Sequence, residues 1–212
     1  MRVSDMDRGP PSMTDISNDR NSYLGIHFKA LDLAGQTLTG LEFEDCSFVS
    51  CNFSETKFVK CKFLECTFRS CNLSVISVAG CSFGDVSFEE SKVIGVNWTQ
   101  ANWPRIRLNS PFRFDKSILD NCSFYGLGLK GLAMVECKAR EADFRHADCS
   151  EANFTHTDFA GSMFGSTNLS RADFSEARNY NIDISNNVIK KARFTWPDAM
   201  NLLRHLDIEI GD

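Results

Sequence analysis

No stretch of this chain reaches the roughly 18 consecutive apolar residues that a membrane-spanning helix requires. The N-terminus also lacks the apolar core of a secretory signal, so a cytoplasmic protein is the expectation. Neither sign of charge is in large excess. A formal net charge of −5 argues neither for direct nucleic-acid binding nor for an acidic tail. Histidine is scarce: His146 and His156 stand ten apart, and His27 and His205 are isolated near the ends. The Ser-x-x-Lys and Gly-x-Gly-x-x-Gly spacings are absent or uncoupled, and no nucleophile–base set stands out. The chain therefore reads as non-enzymatic, with no cofactor and no metal site.

What is present is a period. From Leu41 to Leu73 an aromatic or leucine returns every fifth residue, at Phe43, Phe48, Phe53, Phe58, Phe63, Phe68 and Leu73. Two residues before most of these centres sits a small side chain: Cys46, Cys51, Thr56, Cys61, Cys66 and Cys71. Five is neither the 3.6 of a helix nor the 2 of a strand, so it marks an internal repeat. The register extends back to Phe28 and forward through Val78, Phe83, Phe88, Val93, Trp98 and Trp103 to Leu108. It slips by one at Asn109-Ser110-Pro111, then runs from Phe114 to Phe194, with only Ala139, Cys149 and Asn179 weak at the centre. In the second half the small partner is mostly Ala, Ser or Thr, as in Ala142-Asp143-Phe144-Arg145-His146.

This pattern resembles the pentapeptide-repeat family, with its A(D/N)LXX consensus, over roughly residues 26 to 194. The resemblance implies an all-β fold, a right-handed quadrilateral β-helix in which four pentapeptides make one square coil. A coil too small to bury anything alone can stack on its neighbours and share a core. The centre residue and the small residue two before it both point inward, since side chains two apart on an extended backbone face the same way. Residues 1–22 are polar and aperiodic and read as a flexible leader, residues 23–195 as the coils, and residues 196–212 as a terminal module.

Nine cysteines invite a disulfide or zinc reading. Eight occupy the small inward position and Cys149 a centre, so they read as buried small hydrophobes. Pairs twenty apart, such as Cys46/Cys66, would stack one coil apart, wider than the Cβ separation of about 3.8 Å in a disulfide. Two tryptophans, Trp98 and Trp103, hold successive centres, and Pro104 and Pro111 bracket the slip, where a bulge or kink is expected. After Phe194, Thr195-Trp196-Pro197-Asp198 reads as a helix start with Thr195 as cap. Ala199, Leu202, Leu203 and Leu206 recur at helical spacing, and Leu206–Ile210 alternates like a short strand.

If one coil is twenty residues, outward residues fall into columns. Asp45, Glu65 and Asp85 form an acidic column whose next member is Arg105, and Glu42 lies under Lys62. In the second half Asp143, Asp148, Glu151, Asp158, Asp173 and Glu176 face out against Arg145 and Arg171. Such a surface is either an ordinary solvated one or one presented to a basic partner.

Phrases outside the generic consensus resemble the DNA-gyrase-protecting branch of the family, which includes Qnr and the microcin- and albicidin-resistance proteins. They are GVNWTQANWP (Gly95–Pro104), FYGL (Phe124–Leu127), MVEC (Met134–Cys137), NYNIDI (Asn179–Ile184) and PDAMNLLRHLDIE (Pro197–Glu209). The long leader and the lack of an obvious long loop between coils depart from some Qnr proteins. The resemblance implies a rod that mimics duplex DNA and protects DNA gyrase, or topoisomerase IV, from a poison. Its acidic candidates here are Asp45, Glu65, Asp85, Asp143, Asp148, Glu151, Asp158 and Asp173. It also implies a homodimer through the C-terminus, with Trp196, Ala199, Leu202, Leu203, Leu206, Ile208 and Ile210 as the interface. A scaffold repeat protein with another protein partner is the alternative, because fold does not assign function.

Overall fold

The computed structural model describes residues 12–13, 16, 20–103, 110–206 and 208. The chain turns a corner after each pentapeptide, and the corner residue takes a left-handed backbone: Asp45 at φ 51°, Ser50 at 54°, Glu55 at 59° and Lys60 at 53°. For a non-glycine residue this costs roughly 1–2 kcal/mol. The corner amides offset it by pairing with the next coil, as Asp45 N–H donates to the Leu64 carbonyl at 3.0 Å and Glu65 N–H to that of Gly84 at 2.8 Å. Four corners close one coil, and the parallel solenoid makes about 8 turns.

The four faces are built by parallel pairing, at a spacing of twenty residues except at the first rung of the second face, where Ser12 pairs with His27, and across an insertion after Trp103. The first stacks Ser22–Leu24, Glu42–Glu44, Lys62–Leu64 and Ser82–Gly84. The second stacks Ser12–Met13, His27–Lys29, Ser47–Val49, Thr67–Arg69, Val86–Glu89, Phe112–Asp115 and Ala133–Val135. The third is a ladder of single bridges from Asp32 through Asn52, Asn72, Lys92, Ile118, Lys138 and Asp158 to Arg178. The fourth holds Thr37–Thr39 and Lys57–Val59, and further on Asn97, Ser123, Asp143 and Met163.

The centre residues fill the axis. Phe28, Phe48, Phe68, Phe88 and Phe114 stack face to face with centroids 4.9, 4.6, 5.2 and 5.0 Å apart, all buried. Each such pair contributes about 0.5–1.5 kcal/mol beyond its buried area. The small inward residues do more than fill space. Thr56 Oγ1 donates to the Leu33 carbonyl one coil below at 2.7 Å, Thr157 to Met134 at 2.8 Å and Ser117 to Phe88 at 3.2 Å. Cys71 Sγ and Cys66 Sγ donate likewise to Phe48 and Phe43 at 3.3 and 3.4 Å. The shared task is donating to a buried carbonyl, and thiol and hydroxyl both perform it. All nine cysteines are free and buried. Burial pushes the Cys122 and Cys137 thiols up to about 12.

Several expectations need correction. The slip of one is an insertion of six: Ser87 pairs with Arg113 and Lys92 with Ile118, twenty-six apart, and pairing returns to twenty at Arg113↔Ala133. The two shifts are indistinguishable to a period of five. The added residues fall between Trp103 and Ser110, where Pro104, Arg105 and Leu108 lie outside the described residues. Pro111, whose ring forbids a positive φ, stands in the column where Asp85 below and Gly131 above are left-handed, at 50° and 72°. The leader is not wholly outside the fold, since Ser12–Met13 pairs with His27–Phe28. Near the other end Tyr180, not Asn179, fills the core: Tyr180 is buried and Asn179 is an exposed left-handed residue. The terminal helix is a 3-10 helix over Asp198–His205. Thr195 does not cap it with its side chain, and its hydroxyl accepts from the Glu176 amide at 2.8 Å in the coil below. Leu206 and Ile208 belong to no strand.

Candidate interaction surface

The eight acidic candidates separate into two chemically different sets. Asp45, Glu65, Asp85 and Glu151 are corner residues with left-handed backbones, and counting the six-residue insertion they share one column, at the edge between the first and second faces. Asp143, Asp148, Asp158 and Asp173 precede centre residues and bridge to four different faces, the fourth, first, third and second. They do not form one acidic face, because positions five apart lie on successive sides of the square.

The second set is engaged in holding turns. Asp143 Oδ1 accepts the Arg145 amide at 3.0 Å, Asp148 that of Ser150 at 3.0 Å, Asp158 that of Ala160 at 3.2 Å and Asp173 that of Ser175 at 2.9 Å. This is the side-chain turn for which Asp and Asn are favoured. The remaining oxygens meet cations or amides. Asp143 takes Arg145 through Nε at 2.9 Å and Nη2 at 2.8 Å, and this hydrogen-bonded pair holds its carboxyl below the usual range. Asp158 is 4 % exposed. Burial pushes its pKa up, but Asn179 Nδ2 at 2.8 Å, Arg140 at 2.9 Å and the Ala160 amide outweigh this and leave it lowered. Asp148 accepts from Asn168 at 2.9 Å and Asp173 pairs with Arg193 at 3.5 Å.

The first set is mostly free. Among the described residues Asp45, Glu65 and Asp85 are exposed and form no ion pair or side-chain hydrogen bond, whereas Glu151 sits between Lys130 and Arg171, each at 3.5 Å.

At the C-terminal end Trp196 is 74 % exposed and Ile208 53 %, with Leu206 beside them in sequence and also exposed. Leu202 packs against the core, and Ala199 and Leu203 are half-buried. Ile210 lies outside the described residues. Val188, 54 % exposed on the last turn of the first face, adds apolar surface at this end that the helical spacing did not reveal.

A model of the pentapeptide repeat region matches residues 41–111, and one of pentapeptide repeats in eight copies matches residues 140–178. The chain belongs to the pentapeptide-repeat family. No curated protein sequence matches it. Among solved structures, trypsin-treated QnrB1, a plasmid-mediated fluoroquinolone resistance protein, is 18 % identical with a TM-score of 0.49, covering 96 % of this chain and 100 % of that one. Full-length QnrB1 is 20 % identical with a TM-score of 0.45, covering 86 % and 100 %. HetL, a pentapeptide-repeat protein involved in heterocyst differentiation regulation from the cyanobacterium Nostoc, is 17 % identical with a TM-score of 0.47, covering 82 % and 87 %.

The stacking of this pentapeptide-repeat chain also exposes charges that reading single units missed. Glu44 sits beside Asp45 on the acidic stretch of the edge. Beyond the insertion the same corner column continues as Gly131, Glu151, Arg171 and Lys191, flanked by Lys130 and Lys190. One edge is thus acidic toward the N-terminus and basic toward the C-terminus. Aligning the two halves takes a step of twenty-six across the insertion, which the strand pairing supplies and the period of five does not. Among the described residues no group of three or more His, Cys, Asp or Glu could hold a metal ion, and no helix is long and apolar enough to cross a membrane.

Proposed function

We propose that this chain is a non-catalytic, cytoplasmic rod that docks its acidic edge in the basic DNA-binding groove of DNA gyrase, or of topoisomerase IV, and protects the enzyme from a poison. The observation that carries the reading is the column of exposed, unpaired carboxylates at Asp45, Glu65 and Asp85. Coils rise about 4.8 Å each, so these charges form a straight row, sparser than the one charge per about 1.7 Å of duplex DNA. The non-consensus phrases around Gly95–Pro104 and the tail support the same branch. A role of the kind named for QnrB1, fluoroquinolone resistance, is part of the proposal for this chain. The exposed Trp196, Leu206 and Ile208 supply the end-to-end homodimer contact.

A supercoiling assay with purified gyrase and a poison tests this. Rescue at low excess and inhibition at high excess are expected, both weakening with salt because exposed charges are screened over about 8 Å at physiological ionic strength. Reversing Asp45, Glu65 and Asp85 to Lys abolishes rescue, while Asp148→Asn leaves it unchanged. Full protection by the triple variant overturns the acidic edge as the contact. A wild type that neither binds gyrase nor rescues it from several poisons overturns the function. The scaffold role then stands, favoured by the basic C-terminal half of the edge, which a basic groove would repel.

A further inference from the structure

We propose that the charged edge between the first and second faces is a lateral self-association surface, on which two copies lie side by side and antiparallel. This stands without the topoisomerase reading and is separate from the apolar end contact. The edge carries Glu44, Asp45, Glu65 and Asp85 on one side of the insertion, then Lys130, Arg171, Lys190 and Lys191 on the other, where Glu151 is already held by Lys130 and Arg171. Every one of these residues is exposed. A uniformly basic partner is repelled by the C-terminal half, and a uniformly acidic one by the N-terminal half. A partner that satisfies both presents the same order of charges reversed, and a second copy of this chain, turned end for end, does so.

The solenoid makes the match geometric. Both copies place one corner charge per coil, about 4.8 Å apart. With Gly131 near the two-fold axis, Asp85 comes opposite Arg171 and Glu65 opposite Lys191, each twice by symmetry. An isologous contact requires such self-complementarity, residue i meeting j and j meeting i. Gly131 has no side chain, and among the described residues a Cβ there would meet nothing within 4 Å.

The test uses sedimentation velocity of the full chain carrying Leu203→Glu, which removes the end contact. At about 50 mM salt this protein associates, and the association weakens at least about tenfold at about 500 mM, where the screening length is a few ångströms. Glu65→Lys with Asp85→Lys sets base against base at both pairs and leaves a monomer. Arg171→Glu with Lys191→Glu sets acid against acid at both pairs and also leaves a monomer. Mixing the two double variants restores association, and so does combining all four changes in one chain. Double variants that still self-associate, or a mixture that stays monomeric, overturn the proposal. If circular dichroism shows Leu203→Glu to be unfolded, the same charge variants are read in the unaltered chain, whose end contact is apolar and insensitive to salt. A salt-insensitive association unchanged by either double reversal there overturns the lateral contact equally.

Discussion

The coils before the insertion and those after it solve one packing problem with different chemistry. Before Trp103 the first two faces hold three-residue strands and open corners, with stacked Phe rings above Cys. After Ser117 most faces are single bridges between tight turns closed by an amide three residues on, as Ala147 N–H to Phe144 C=O at 3.1 Å and Ala172 to Leu169 at 3.0 Å. The residue just before the centre separates the two. In every three-residue strand it is Ser, His, Thr, Glu, Lys or Ala. Where it is Asp or Asn, its side chain accepts the amide two residues on and tightens the corner, as at Asn52, Asp143 and Asp173. The consensus Asp is therefore a turn residue first and a surface charge second.

The largest effect expected is loss of a ring from the earlier half. Phe48 stacks between Phe28 and Phe68 and touches Phe43 and Phe53 edge-on. Phe48→Ala should cost about 3–5 kcal/mol by urea unfolding, the usual range for a large core truncation. Cys149→Ala, at a later centre that holds only a thiol, should cost about 1 kcal/mol. Equal losses would mean that the aromatic ladder is not what holds the earlier coils.

Second comes the turn carboxylate. Asp158→Asn removes the charge that Arg140 and Asn179 meet in a buried position and should cost about 2 kcal/mol, the range for hydrogen bonds to charged groups. Because the folded pKa of Asp158 is lowered below its unfolded value near 3.9, its stabilisation is complete above that value and lost as pH falls through the folded pKa. Acid should therefore loosen the later coils first. Amide exchange below about pH 4 checks this, and it should show the Asn variant without that pH dependence. Earlier coils that open first would contradict the division.

These two tests touch what the sequence could and could not convey. Period five exposed the centre residues, the small partners and the coil, because burial is periodic and composition follows it. It could not separate a slip of one from an insertion of six, and so it misaligned every column beyond Trp103. It also counted Asp143, Asp148, Asp158 and Asp173 with Asp45 as surface acids, because a carboxylate bonded to an amide two residues on and a free one read alike in sequence. The edge became visible only when strand pairing fixed which residues stack. Thr195 failed as a cap for a similar reason: a hydroxyl acceptor was legible, but the donor it meets, the Glu176 amide nineteen residues earlier, was not.

A smaller effect separates the two uses of the inward position. Thr56→Val keeps the volume but removes one of the two donors to the Leu33 carbonyl, leaving the Gln36 amide at 3.1 Å, and should cost about 1 kcal/mol. Cys51→Ser keeps a donor and should change stability by less than about 1 kcal/mol. If the valine is as stable as wild type, these side chains only fill space.

The smallest effect lies at the corners, where the two halves share one backbone conformation. Val75 sits at φ 59° and Asn121 at φ 60°. A β-branched side chain is strained in that region, whereas Asn visits it readily. Val75 is 60 % exposed and its amide bond to the Ile94 carbonyl, at 2.7 Å, does not involve the side chain. Val75→Gly therefore relieves strain while removing little burial, and the gain is reduced by the larger freedom glycine gives the unfolded chain, about 0.5–1 kcal/mol. A net stabilisation of about 0.5 kcal/mol is expected at Val75, and a change near zero or slightly negative for Asn121→Gly. Paired denaturation curves resolve the difference. If both substitutions destabilise equally, corner strain does not distinguish these residues, and the choice of side chain at the corners reflects what lies outside the rod.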